Sequence, residues 1–270
     1  MNQQYLLKLS NLAASEDGAE SLINFNLELK QAELRAILFR QEKIKKILVE
    51  LFMGKRDLQS GEIYFAGQKV TTNDLTRFYR KKTYLVNKYS AINPAKDPLS
   101  IFRFNKNSQA SEHNSTVFPD MTVAENIFFG REPLNTFLFF KSIDYQTMRE
   151  KANILLQEFK LKVEPDQKMA ALSSLEKQLV ELIKAVSLGV ELLILDKPAA
   201  ELSKSERSIF FAYLKKIKAE QMTIIYFTDE VETVFETADK VTIFKNGSSS
   251  GSYEVDELDY NQLTLLLMGR

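Results

Sequence analysis

Two apolar runs without a polar break constrain the fold of this chain more than any other feature. ELLILD (191–196) and MTIIYFTD (222–229) have the length of a strand, and each ends in an acid. Strands buried on both faces have this pattern, which is typical of parallel sheets covered by helices. An amphipathic helical segment (203–220) lies between the two runs. The order strand, helix, strand therefore predicts an α/β fold with a mainly parallel sheet.

The rest of the chain extends this pattern. The chain begins with two strands of alternating polarity. A buried strand, ELRAILF (33–39), then precedes a helix (40–54). Near the C-terminus, a pair of strands (240–253) precedes a last helix. Residues 118–189 have a helical pattern with turns near 131–133 and 163–167, whereas residues 90–117, rich in Asn, Ser and Pro, predict a mobile loop or insertion. We expect a single domain, made of a core (1–86 and 190–247), a helical subdomain with an insertion (87–189) and a C-terminal helix (255–270).

Composition excludes several classes of protein. Lys and Arg number 36, as do Asp and Glu, so the net charge of zero gives no basic field that would attract nucleic acid. Cysteine is absent and histidine occurs once, at His113, which excludes disulfides, thiol catalysis and multi-histidine metal clusters. The N-terminus lacks the pattern of a signal peptide, and no stretch has about 18 uninterrupted apolar residues. These features predict a cytoplasmic location.

Five segments follow one another in an order that resembles a known family. They read NFNLELKQAELRAIL (24–38), SGEIYFAGQKV (60–70), FPDMTVAENIFFGREP (118–133), ALSSLEKQLVELIKAVSLGVELLILDKPAAELSKSE (171–206) and MTIIYFTDEVETVFETADKVTIFKNG (222–247). Together they resemble the ATP-binding subunit of ABC transporters. Within them, TVAENIFFGRE (122–132) and ILDKPAAELS (194–203) resemble the sugar-importer branch of that family. The ending LLLMGR resembles the end of the first cassette in that branch's two-cassette subunits. The resemblance implies a P-loop NTPase-like core with a mainly parallel sheet, an antiparallel β subdomain and an inserted helical subdomain.

The segment of this chain that aligns with the family's phosphate-binding loop departs from the family pattern. The family sequence GxxxxGK[ST] aligns with FRQEKIKK (39–46). Lys45 falls on the family lysine, but Phe39 and Ile44 replace both glycines and Lys46 replaces the hydroxyl that holds Mg²⁺. A β-branched residue such as Ile44 cannot cheaply adopt a glycine-type backbone. Alternatively, this segment is simply the first turn of a solvated amphipathic helix.

Other positions that the resemblance assigns to chemistry are altered as well. Asp196 matches the acid that helps to hold Mg²⁺, but Lys197 replaces the glutamate that activates water, and an ammonium cannot act as that base. Asp229 replaces the family histidine, and Glu16 stands where an aromatic residue stacks on adenine. Lys88 is the best match for the glutamine that senses Mg²⁺. No catalytic position is therefore expected to be intact.

The signature segment LSGGQ appears as LSSLE (172–176). Ser173 is retained, and in the family it touches the γ-phosphate of ATP held by the partner subunit. Ser173 and Glu176 ahead of an apolar run also match a capping box, which stabilises a helix by about 1 kcal/mol. We expect capping to be the main role of Ser173.

These features favour a degenerate ABC subunit that does not hydrolyse ATP and acts as a structural or regulatory partner of a permease or of a competent cassette, as a heterodimer. It would lie at the inner face of the membrane only through a permease. No cofactor is expected under this interpretation. ATP and Mg²⁺ belong to the first alternative, a slow ATPase that uses Lys45 and Asp196. The second is a cytoplasmic adaptor that reuses the fold and binds its partner through the insertion, with Phe102 and Phe104 as apolar anchors.

One structural expectation follows from the altered loop. Without Mg²⁺, a buried Asp196 needs a counter-charge, and Lys45 and Lys197 are the candidates. We predict that Lys45 contacts Asp196, or that side chains of residues 39–46 fill the former nucleotide site.

Overall fold

The computed structural model describes residues 5–16, 20–52, 56–70, 83–87, 117–137 and 140–268. These ranges form twelve strands, seven α-helices and two short 3₁₀ turns. The strands are β1 (Leu7–Glu16), β2 (Glu20–Leu29), β3 (Leu34–Phe39), β4 (Ser60–Phe65), β5 (Gln68–Val70), β6 (Thr83–Asn87), β7 (Leu134–Phe137), β8 (Phe140–Ile143), β9 (Leu192–Asp196), β10 (Thr223–Thr228), β11 (Lys240–Lys245) and β12 (Ser248–Glu254). The helices are α1 (Glu42–Phe52), α2 (Val123–Phe128), α3 (Tyr145–Glu158), α4 (Ser174–Ser187), α5 (Lys204–Ala219), α6 (Val231–Thr237) and α7 (Tyr260–Met268).

A six-stranded sheet has the order β12-β11-β3-β10-β9-β6. Strand β10 pairs in parallel with β3 and with β9, and β11 pairs in parallel with β3. Every residue of β3, β9 and β10 is buried, which explains why apolar residues dominate their sequences. The mainly parallel sheet predicted from these runs is confirmed.

An antiparallel sheet with the order β2-β1-β4-β5 accounts for the first part of the chain. Leu7 lies opposite Leu29 and Leu9 opposite Leu27, and these four side chains are buried. The alternating pattern thus places one face of the sheet in the core and leaves the other to polar residues. A second antiparallel pair, β11 and β12, turns at Asn246 and Gly247, whose φ angles of 50° and 80° suit a two-residue hairpin.

Two residues separate the end of β3 from the start of helix α1. Its apolar face, formed by Ile47, Leu48 and Phe52, is buried in a cluster that also contains Phe25 and Phe227. The spacing of these residues explains why the segment is helical, since they recur on one face. This packing fixes the first turn of α1 next to the carboxyl end of β3.

Contacts divide the chain into two compact units. The first contains residues 1–85, 190–197 and 214–270, with both large sheets apart from the end of β6. The second contains residues 86–189 and 198–213, with helices α2, α3 and α4.

Among the described residues of the second unit, two strands replace part of the predicted helical pattern. Residues 118–189 were expected to be helical, but β7 and β8 form a hairpin within them. Leu134 lies opposite Ile143 and Phe137 opposite Phe140. Aromatic and β-branched residues favour strands, and this stretch is too short to show a helical period. The predicted insertion, residues 90–117, lies outside the described residues except for Val117.

Candidate functional site

The carboxyl ends of neighbouring parallel strands bring the predicted site residues together. Asp196 ends β9, Asp229 follows β10 by one residue, and α1 starts just beyond β3. Because β3, β10 and β9 are adjacent and parallel, these three positions lie at one edge of the sheet. Ligand sites of open α/β sheets occur at this edge.

Lys45 and Asp196 form a buried ion pair at this edge. The Lys45 Nζ lies 2.7 Å from Oδ1 and 2.9 Å from Oδ2 of Asp196. The two residues are only 8% and 6% exposed. A buried carboxylate is costly unless a charge compensates it, and the ammonium does so here. The predicted contact between Lys45 and Asp196 is confirmed.

Lys197, the other candidate counter-charge for Asp196, contacts different acids. Its Nζ lies 2.6 Å from Oε1 of Glu42 and 2.7 Å from Oδ2 of Asp229. The chain turns at Lys197, where φ is 48°, and the Lys197 N–H donates to the carbonyl of Phe227. This turn takes the side chain to the acids that follow β10 and open α1.

Glu42 bridges the two ammonium groups, a role that the sequence analysis missed. Its Oε2 lies 2.8 Å from the Nζ of Lys45, while its Oε1 accepts from Lys197. Below them lies the buried ring of Phe39, whose centroid is 5.3 Å from the Lys45 Nζ and 4.8 Å from that of Lys197. The spacing of three residues between Glu42 and Lys45 in a helix could have predicted their ion pair. The pair of Glu42 and Lys197 could not be predicted in this way, because the two residues are far apart in sequence.

The pKa values of Glu42 and Lys197 move in the directions that an ion pair requires. Burial alone would raise the pKa of Glu42, but hydrogen bonds from Lys197 and Lys45 outweigh it and the pKa lies below its ordinary value. Burial alone would lower the pKa of Lys197, but hydrogen bonds to Asp229 and Glu42 outweigh it and the pKa is raised. Both groups are therefore charged at neutral pH.

The backbone of residues 39–46 is largely helical. Helix α1 begins at Glu42, and the Lys45 N–H donates to the carbonyl of Gln41 at 3.1 Å, so it is used within the helix. No residue from 39 to 46 has a φ angle in the left-handed region. Lys46 is exposed, with its Nζ 4.0 Å from Glu50. Residues 42–46 thus form a first helical turn, as the alternative predicted, but Lys45 is buried rather than solvated.

These side chains, as arranged, do not fit a magnesium–nucleotide complex. Both carboxylate oxygens of Asp196 accept from Lys45, and Lys46 offers no oxygen ligand. Lys197 places an ammonium where the resemblance expects a base. Among the described residues, no group of three or more His, Cys, Asp or Glu side chains is arranged to hold a metal ion.

Ser173, in the second unit, caps helix α4. The Glu176 N–H donates to its Oγ at 3.3 Å, while the Ser173 N–H and hydroxyl each donate to Glu176 Oε2 at 2.8 Å. The predicted capping box is confirmed. Thr122 and Glu125 form the same motif at the start of α2.

Four other predicted residues lie outside the described part of the chain: Lys88, Phe102, Phe104 and His113. Glu16 is the last residue of β1. None of the helices in the part of the chain that the structure describes has the length and hydrophobicity needed to span a bilayer.

Comparisons with known proteins agree with this architecture. The galactose/methyl galactoside import ATP-binding protein MglA of Yersinia pestis bv. Antiqua (strain Antiqua) is 25% identical over 268 residues, which are 99% of this chain and 47% of that protein. The chain thus spans about half the length of the curated relatives it matches.

Solved structures share the fold. CbiO1 of Clostridium perfringens, part of the ABC transporter complex cbiONQ, has a TM-score of 0.72 and 20% identity, covering 94% of this chain and 90% of that one. A nucleotide-free ATP-binding cassette from an ABC transporter has a TM-score of 0.73 and 19% identity, covering 96% and 95%. The predicted P-loop NTPase-like α/β fold is confirmed by this similarity. A family model described as ABC transporter matches residues 22–200, about two-thirds of the sequence. The chain therefore belongs to the ABC transporter family.

Proposed function

We propose that this cassette does not hydrolyse ATP and acts as a structural or regulatory partner of a sugar-import permease or of a competent cassette. The observation that carries the proposal is the position of Lys197, whose ammonium is held by Glu42 and Asp229 where family members use a water-activating glutamate. An ammonium has no acceptor for a proton. Loss of a general base alone costs about 10²–10⁴-fold in rate.

The phosphate-binding segment supports the same proposal. Catalysis of phosphoryl transfer depends on positioning and on charge stabilisation by backbone amides, a lysine and Mg²⁺. Here helix α1 starts at Glu42, and Lys45 is bonded to Asp196 and Glu42. Binding of ATP would have to break both ion pairs and unwind the first turn of the helix.

The relatives support a retained role in an assembly. MglA is named as an import ATP-binding protein, and we propose by analogy that this chain works beside a permease, with residues 86–135 as the contact region and residues 87–189 as the helical subdomain. It would lie at the inner face of the membrane through that permease. A competent cassette would supply the phosphate-binding loop, and Ser173 would face its nucleotide.

The heteromeric part of the proposal has a separate test. The Glu176 carboxylate occupies both donors of Ser173, so a phosphate at this position must displace it. We expect Ser173→Arg to weaken nucleotide binding by a purified pair of this chain and a competent cassette. Unchanged nucleotide affinity would remove the role of Ser173 in a shared site.

A calorimetric titration with ATP, with and without Mg²⁺, tests the main proposal, together with release of phosphate. We expect neither heat up to millimolar ATP nor turnover. Variants Lys45→Met and Asp196→Asn are the controls, because hydrolysis that survives both substitutions comes from a contaminant. Micromolar binding that requires Mg²⁺, or turnover lost in both variants, would overturn the proposal.

The second candidate function is a slow ATPase. The retention of Lys45 and Asp196, side by side at the carboxyl edge of the sheet, favours it. In that case ATP must displace Lys45 from Asp196, so hydrolysis would require both residues. Turnover lost in both control variants is the outcome that supports this candidate.

A further inference from the structure

Glu42 contacts the two ammonium groups in the manner of a bound oxyanion. Each of its carboxylate oxygens accepts from a different lysine: Oε2 from Lys45 at 2.8 Å and Oε1 from Lys197 at 2.6 Å. Two oxygens of one phosphate group have a similar separation, and an ammonium binds phosphate and carboxylate through the same N–H donors. The contact therefore has the chemistry of an anion site with an internal ligand.

The two lysine side chains are largely buried, whereas the side chain of Glu42 is exposed to solvent. The Lys45 and Lys197 side chains are 10% and 13% exposed, and both lie on the ring of Phe39. Lys45 also donates to Asp196, and Lys197 also donates to Asp229. The side chain of Glu42 is 54% exposed, so a small anion reaches this point from solvent if the carboxylate is removed.

We infer that Lys45 and Lys197 form a latent oxyanion site and that Glu42 is the built-in ligand that closes it. The inference rests on the proposed function and deepens it, because it names what keeps this edge of the sheet free of phosphate. Two lysines and three acids give this cluster a formal net charge of −1, and without the charge of Glu42 the formal sum is zero. Removing the competing carboxylate exposes two fixed donors that Asp196 and Asp229 keep in place.

Glu42→Gln tests the inference, with inorganic pyrophosphate as the probe. The substitution keeps the size of the side chain and removes its charge. We expect the affinity for pyrophosphate, measured by calorimetry, to rise at least about tenfold over the wild type. The gain should not require Mg²⁺, since ammonium groups supply the binding, and it should fall with added salt.

Two matched variants make the test specific. Glu50→Gln removes the same charge from the same helix, where Glu50 pairs with Arg56 instead; we expect no gain from it. The double variant Glu42→Gln/Lys197→Gln should lose the gain of the single variant. Thermal unfolding verifies that each variant is folded, and Glu42→Ser replaces Glu42→Gln if the latter is not.

The outcomes separate this inference from the proposed function. A folded Glu42 variant with no gain in pyrophosphate binding would show that Glu42 only stabilises the start of α1, and the inference would be wrong. An equal gain in Glu50→Gln would reduce the effect to net charge and would also overturn it. Neither result bears on whether the wild type hydrolyses ATP, which the titration with nucleotide decides.

Discussion

At the scale of single residues, the pairing of acidic and basic side chains determines the chemistry at the carboxyl edge of the parallel sheet. The resemblance assigns Asp196 to Mg²⁺ binding, but here both of its carboxylate oxygens accept from Lys45. Lys197 adds a second cation, and Glu42 and Asp229 compensate it. Such a network stabilises the folded chain only while its charges are matched, because a buried charge that loses its partner is costly.

Replacing Lys45 with methionine removes the only charge bonded to Asp196 among the described contacts. We expect Lys45→Met to lower the free energy of unfolding by about 3 kcal/mol, since it leaves a buried carboxylate uncompensated. Adding Asp196→Asn should restore most of that loss. Urea unfolding measures both, and Lys46→Met serves as the control because Lys46 is exposed. Additive losses in the double variant would contradict the pairing.

The charges of Lys197 and Glu42 predict a defined dependence of stability on pH. The raised pKa of Lys197 means that its contribution is complete below its ordinary value of 10.5 and declines as pH rises through the folded pKa. The lowered pKa of Glu42 means that its contribution is present above 4.5 and is lost as pH falls through the folded pKa.

We therefore expect the difference in unfolding free energy between the wild type and Lys197→Met to be constant between about pH 5 and pH 10. It should shrink on either side of that range. Urea titrations at a series of pH values test this. A difference that grows toward high pH would show that Lys197 is not held by these acids.

At the scale of elements, the start of each helix determines which donors remain available. Helix α1 starts at Glu42 and takes in most of residues 39–46, the segment that the resemblance assigns to phosphate binding. This start supports our proposal that the chain lacks a phosphate cradle. Helix α4 starts with the Ser173–Glu176 capping box, so the serine of the signature is engaged by its own helix. In both cases a local helix contact uses the groups that a nucleotide would need.

Removing the cap of α4 should therefore affect stability. We expect Ser173→Ala to lower the free energy of unfolding by about 1 kcal/mol, because the N–H of Glu176 loses its acceptor. Chemical denaturation measures the change. Ser174→Ala, at the exposed first helical position, is the matched control and should cost clearly less. Equal effects of the two substitutions would argue against capping as the role of Ser173.

At the scale of the whole molecule, a buried arginine joins strands that are distant in sequence. Arg35 on β3 is 3% exposed, and its guanidinium donates to Glu33, to Thr242 on β11 and to Ser252 on β12. It also donates to the carbonyl of Glu28 at the end of β2, in the antiparallel sheet. One side chain thus contacts elements of both large sheets of the first unit.

Substitution of this arginine should affect the folding of that unit more than any exposed charge. We expect Arg35→Met to cost about 3–5 kcal/mol, since Glu33 stays buried without its cation and several acceptors lose their donor. Thermal and urea unfolding measure it. Lys8→Met, which breaks the exposed pair with Glu28, is the control and should cost clearly less, because an exposed ion pair contributes little to stability. A small effect at Arg35 would mean that water replaces its contacts.

The sequence by itself determined the parts of the protein that depend on local pattern. The unbroken apolar runs of β9 and β10 predicted the parallel sheet, and the spacing of Ser173 and Glu176 predicted a cap, because hydrophobic period and capping act over a few residues. The pairing of Lys45 with Asp196 was also predicted, from the need of a buried acid for a counter-charge.

Only the tertiary structure decided what the remaining charges contact. Glu42 and Lys197 are 155 residues apart, and they meet because adjacent parallel strands end at one edge of the sheet and the chain turns at Lys197. The β7–β8 hairpin was likewise missed, since its short strands carry no period that separates them from a helix. Long-range ion pairs depend on strand order and on backbone turns. Neither can be predicted from the sequence spacing of the two residues that pair.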